Sequence, residues 1–177
     1  MQIKTMVTGL AAGIALFLCA GAWASDAPMG TFAAKGEQTC LKCHDDAKVG
    51  AVLKTPHAMK GDSRTPFANH GCESCHGASP EHVASAAKLK GDEKPVAPAV
   101  MFNGPNISPV EDRNAVCAGC HDDGLQKAWK GSQHNTAQVA CTNCHTVHAA
   151  KDPTLVKDTQ PQTCFTCHAQ QRAESFL

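Results

Sequence analysis

Five times along the chain two cysteines stand three positions apart, with a histidine directly after the second. The copies are Cys40-Leu41-Lys42-Cys43-His44, Cys72-Glu73-Ser74-Cys75-His76, Cys117-Ala118-Gly119-Cys120-His121, Cys141-Thr142-Asn143-Cys144-His145 and Cys164-Phe165-Thr166-Cys167-His168. Positions i, i+3 and i+4 share one face of a helical turn. Two thiols on that face can reach the two vinyl groups of one porphyrin, and the adjacent imidazole can reach its iron as the proximal ligand. The pattern is the attachment signature of haem c, and it predicts five covalent haems.

Two other chemistries use Cys-x-x-Cys. A structural zinc site takes two such pairs. It does not require the histidine, and five motifs would leave one unpaired. Disulfides or a thioredoxin-like redox site are the second alternative. Those motifs usually come singly, at a strand-to-helix junction, and none of the five has that setting.

Ten histidines occur, and five lie outside the motifs: His57, His70, His82, His134 and His148. Five irons needing a sixth ligand and five spare histidines point to bis-histidine coordination. His148 stands out, three residues after His145. His70 is the weakest candidate, because it sits two residues before Cys72. Met29, Met59 and Met101 are rival distal ligands, and a methionine would raise the potential. Bis-histidine iron has no open position, so such haems carry electrons and do not bind substrate.

The elements that must position these residues are modest. Short helices are expected over Asp45–Leu53, Glu81–Leu89 and Asp122–Lys130, and a fourth over Ala169–Ser175. Residues 91–116 hold Pro95, Pro98, Pro105 and Pro109 and read as an extended loop. No alternating strand pattern of useful length is present. The expected fold class is a multihaem cytochrome c: short α-helices and irregular loops wrapped around five stacked haems, with almost no β-sheet.

Composition supports this. Residues 25–177 contain 22 Leu, Ile, Val and Phe, no Tyr, one Trp (Trp129) and ten of the eleven cysteines. That apolar share is about 14%, below the roughly 20% under which a chain rarely buries enough surface to fold. A cofactor or cross-links must supply the interior. Charge is balanced, with no basic stripe, which argues against a nucleic-acid partner.

Residues 1–24 read as a secretory signal peptide, with residues 25–177 as one pentahaem domain. Lys4 precedes an uncharged apolar run from Met6 to Ala20, and Ala22-Trp23-Ala24 has the small-x-small form of a cleavage site. The run is short for a bilayer span. Cys19 follows Leu18, where a lipoprotein signal needs a small residue. Export to the periplasm is expected, the side of the membrane on which bacteria attach haem c.

The stretches from His70 to Gly77 and from Val139 to Pro153, extending through Gln170-Gln171-Arg172-Ala173, resemble the periplasmic decahaem cytochromes of metal-reducing and dimethyl-sulfoxide-reducing outer-membrane conduits. The chain resembles their N-terminal five-haem half. It is similar also to the pentahaem electron donor of cytochrome c nitrite reductase. The resemblance implies that His57, His82, His134 and His148 are distal ligands. It implies that the fifth haem's distal histidine comes from beyond His168. In this chain His70 would replace it, or the haem at Cys164 and Cys167 would be differently ligated.

The function expected is electron transfer and not catalysis. A quinol-oxidising membrane cytochrome would be the donor. The acceptor would be an outer-membrane porin–cytochrome complex or a periplasmic terminal reductase. The alternative is a small reductase of nitrite, hydroxylamine or a sulfur oxyanion with one open haem.

Overall fold

The computed structural model describes residues 30–174. The expected signal peptide lies outside them. Among the described residues the chain forms short α-helices, 3-10 turns and loops, and no strand. No helix among them is long and apolar enough to cross a membrane.

The Asp45–Leu53 segment folds as α-helix Ala47–Gly50 continuing into a 3-10 turn, Ala51–Lys54. Asp46 caps it, its carboxylate accepting from the Lys48 and Val49 amides at 2.9 and 3.0 Å. The Glu81–Leu89 segment is helix Pro80–Ala86, with Pro80 in its first turn. Over 122–130 only a 3-10 helix forms, Gly124–Ala128. The last helix runs Ala169–Glu174.

The loop expected over 91–116 ends early. Helix Val110–Ala118, nine residues long, occupies its last part. Pro109 stands at its N-terminus as a rigid boundary, and Glu111 and Asp112 in the first turn favour the helix dipole. The four prolines obscured that start.

Hydrophobic packing is thin. Among the described residues only Val52, Phe67 and Ala140 are buried apolar side chains. Buried polar side chains tie the segments instead. Glu73 accepts from the Ala33 amide at 2.7 Å and the Ser79 amide at 3.1 Å. Asn114 donates to the Val139 carbonyl at 3.1 Å and accepts from the Cys141 amide at 2.8 Å. It thereby joins the third motif's helix to the start of the fourth. Each such bond contributes about 1 kcal/mol, and more is lost when one buried partner is removed.

Two glycines bracket the second motif for steric reasons. Gly71 has φ +59°, and a Cβ there would lie 2.9 Å from the Glu37 nitrogen. Gly77 has φ +71°, and a Cβ would meet Ala99 at 2.9 Å. Both combine a left-handed backbone with a close approach of neighbouring chain.

Candidate functional site

All five motifs adopt the same turn. The histidine amide donates to the first cysteine's carbonyl in each, at 3.0 Å for His44 and Cys40, 3.0 Å for His76 and Cys72, and 2.9 Å for His121 and Cys117. The other two are 2.9 Å for His145 and Cys141, and 3.0 Å for His168 and Cys164. This is one i to i+4 α-turn, which sets both thiols and the imidazole on a common face. Among the described residues the ten motif cysteines form no disulfide. None of the described residues forms a group of three or more His, Cys, Asp or Glu able to hold a bare metal ion. A porphyrin brings four of iron's ligands itself and leaves two axial positions to the protein.

Four motif histidines are faced by histidines from elsewhere. The ring centroids are 6.1 Å apart for His44 and His82, 6.0 Å for His57 and His121, 6.3 Å for His76 and His148, and 6.0 Å for His134 and His168. A nitrogen ligand sits about 2 Å from its metal and the ring centre about 1.2 Å further back, so two imidazoles flanking one ion have centres about 6 Å apart. The four separations match that span. The partners are 38, 64, 72 and 34 residues apart in the chain. No distal candidate faces the histidine of its nearest motif: His148 lies beside His145 in sequence but faces His76.

Two placements differ from expectation. His70 faces no motif histidine; its ring stacks flat on Phe32, centroids 3.7 Å apart and planes within 1°. The motif histidine without an opposing imidazole among the described residues is His145, and not His168. The reason is tertiary: the last motif folds back onto helix Gln133–Thr136, which carries His134.

Several rings are oriented through Nδ1. His76 Nδ1 lies 3.0 Å from the Val100 carbonyl, His82 Nδ1 2.7 Å from Val96 and His148 Nδ1 3.1 Å from Val49. A ring that donates from Nδ1 presents the Nε2 lone pair to a metal. The second motif is locked both ways, since the Val100 amide also donates to the His76 carbonyl at 2.9 Å. Burial lowers the pKa of His57, with the nearby His121 adding to the effect. Burial likewise lowers that of His76, reinforced by His148, His44 and His82 against the raising effect of the Val100 bond. Both are thereby favoured in the neutral form that binds metal.

The thiols run from motif to motif. Cys40 and Cys72 are close enough to interact, which brings the Cys40 thiol down to about 7 and pushes the Cys72 thiol up. Cys75 lies within electrostatic reach of Cys120. Burial raises Cys117 to about 12, with Cys141 and Cys75 close by. Burial also raises Cys144, which has Cys164 and Cys167 as neighbours. Each motif therefore adjoins the next in chain order. These shifts belong to the free thiols; a thioether sulfur no longer titrates.

One further feature fits a bound, acid-bearing cofactor. The Trp129 ring stacks near His134 at 6.5 Å and 17°, and its Nε1 is buried with no partner among the described residues. A buried indole N–H normally finds an acceptor, which a haem carboxylate can supply. Neither Trp129 nor the carbonyls of Val49, Val96 and Val100 carried any signal in sequence, because nothing in their spacing relates them to the histidines they serve.

Comparison with known proteins agrees. Residues 134–173 match the family described as Doubled CXXCH motif, and residues 24–77 match Cytochrome c554 and c-prime. The chain is 38% identical over 146 residues to the multiheme cytochrome MtrA of Shewanella baltica, covering 82% of this chain and 41% of that protein. It is 30% identical over 140 residues to the cytochrome c-type protein NrfB of Escherichia coli, covering 77% and 67%. Similarity at 27% over 173 residues extends to the C-type polyheme cytochrome OmcB of Geobacter sulfurreducens, covering 78% and 20%. The chain thus spans less than half the length of MtrA. With repeated attachment turns, paired imidazoles and these relatives together, the chain belongs to the multihaem c-type cytochromes, whose cofactor is haem c.

Proposed function

We propose that the chain is a periplasmic electron carrier holding five haems, one on each Cys-x-x-Cys-His turn. Cys40 and Cys43, Cys72 and Cys75, Cys117 and Cys120, Cys141 and Cys144, and Cys164 and Cys167 form the thioethers. His44, His76, His121, His145 and His168 are the proximal ligands. His82, His148, His57 and His134 are the distal ligands of the first, second, third and fifth haems. The observation that carries this reading is the set of four imidazole pairs with centroids 6.0 to 6.3 Å apart. Bound haem supplies a one-electron iron couple whose potential the axial ligands and surroundings tune.

The chain's own residues orient those ligands and set them in order from one motif to the next, and burial favours the neutral form of His57 and His76. The adjacency of successive thiols supports a relay in chain order. Residues 1–24 direct export as a cleaved signal peptide, and residues 25–177 form the pentahaem unit. Electrons enter from a quinol-linked membrane cytochrome and leave to an outer-membrane conduit or a terminal reductase, as the resemblance to MtrA and NrfB suggests. Intact mass tests the reading: the exported chain should gain about 3 kDa, five haems of roughly 0.6 kDa each. Fewer haems, or a colourless folded protein, would overturn it.

A second reading is favoured by His145, which no imidazole faces among the described residues. A haem there with a displaceable sixth ligand could reduce nitrite, hydroxylamine or a sulfur oxyanion. A ferric high-spin signal together with turnover of nitrite or hydroxylamine would select this reading; either one missing would reject it.

A further inference from the structure

We propose that Asp152 is a positioning residue that lowers the reduction potential of the fourth haem by drawing the Nδ1 proton of His145. The proposal rests on the fourth motif being a haem site.

The geometry separates His145 from the other oriented rings. His76, His82 and His148 have neutral backbone carbonyls at Nδ1. His145 has a carboxylate, Asp152 Oδ2, at 2.6 Å. Charge-assisted bonds are about twice as strong as neutral ones. A carboxylate on the far nitrogen makes an imidazole a stronger donor to metal. Negative charge drawn onto the ligand stabilises ferric over ferrous iron, which carries one charge less.

Asp152 is itself built into place. Its Oδ1 accepts from the Thr146 amide at 3.3 Å and the Thr154 amide at 3.1 Å, capping the turn Pro153–Leu155. The Thr154 hydroxyl donates to the Cys144 carbonyl, tying that turn to the motif. Asp152 is 15% exposed, whereas His145 is 45% exposed. The carboxylate is thus fixed against His145 by bonds to both of its oxygens.

The test is D152N in the full chain, followed by potentiometry with electron paramagnetic resonance. Asn keeps an oxygen for the Thr146 and Thr154 amides but loses the charge at His145. The expected result is an unchanged haem mass, one redox component raised and the others unmoved, with one ferric signal changed in its g-values. The redox equilibrium of that component should change about tenfold, the scale of effect of outer-shell partners, or about 60 mV for one electron. D152E, which retains the carboxylate, should return the component towards the native value. Unmoved potentials in D152N at full haem content overturn the proposal. If D152N loses one haem, D152E decides: native potentials and signals at full content support it, and loss in both makes Asp152 a folding residue only. The underlying haem reading fails separately, if C141A/C144A loses no porphyrin mass.

Discussion

Replacing His148 by Ala tests the imidazole pairing most directly. His148 faces His76 with centroids 6.3 Å apart, and its Nδ1 bonds the Val49 carbonyl at 3.1 Å across 99 residues of chain. Ala removes both interactions and leaves Cys72, Cys75 and His76 intact, so the haem mass should stay constant. One of four paired irons loses an axial ligand, so low-spin intensity should fall by about a quarter, with a matching high-spin gain. Loss of the Val49 bond removes about 1 kcal/mol of stability as well. Near-infrared magnetic circular dichroism counts bis-histidine haems directly. His70→Ala is the control: His70 stacks on Phe32 and faces no motif histidine, so its low-spin count should equal the native one. An unchanged spectrum for H148A, or a lost low-spin haem in H70A, would refute the pairing.

Other outcomes follow from the same structure. Gly77→Ala combines φ +71° with a Cβ contact of 2.9 Å to Ala99, and should destabilise by about 1–3 kcal/mol, seen as a lower melting temperature. Native stability in G77A would show that the 97–100 strand of loop does not pack on the second motif. Asn114→Ala strips the Cys141 amide and the Val139 carbonyl of their partner, and should cost about 1–3 kcal/mol and speed amide exchange at Cys141. Acid should destabilise the fold. Burial holds the folded pKa of His76 and His57 below the ordinary 6.5, so the unfolded chain binds protons first. Their contribution is present above about pH 6.5 and is lost as pH falls through the folded values. Unfolding followed between pH 7.5 and 5 should show stability declining towards acid, and a flat or rising trend would contradict the assignment.

The attachment chemistry was legible in the sequence because it is local. Five residues in one turn place two thiols and an imidazole on one face, and the structure repeats that turn five times with the same hydrogen bond. The shortage of Leu, Ile, Val and Phe already said that side-chain packing alone would not build the interior, and only Val52, Phe67 and Ala140 are buried apolar residues among those described. Short helices were legible from the residue pattern over Asp45–Leu53 and Glu81–Leu89, where the structure has Ala47–Gly50 and Pro80–Ala86. The helix Val110–Ala118 was not, since the preceding prolines spoke for loop.

The second half of each metal site was decided by tertiary structure. His57, His82, His134 and His148 could be nominated from counting and resemblance, but their partners lie 34 to 72 residues away. Spacing carries no information about contacts made through loop closure at that range. His70 equalled them in sequence terms, yet the fold stacks it on Phe32. The carboxylate at His145 and the carbonyls at His76, His82 and His148 were invisible for the same reason. A covalent motif is written within one turn of backbone, whereas an axial pair exists only once distant turns have been brought to opposite sides of one iron.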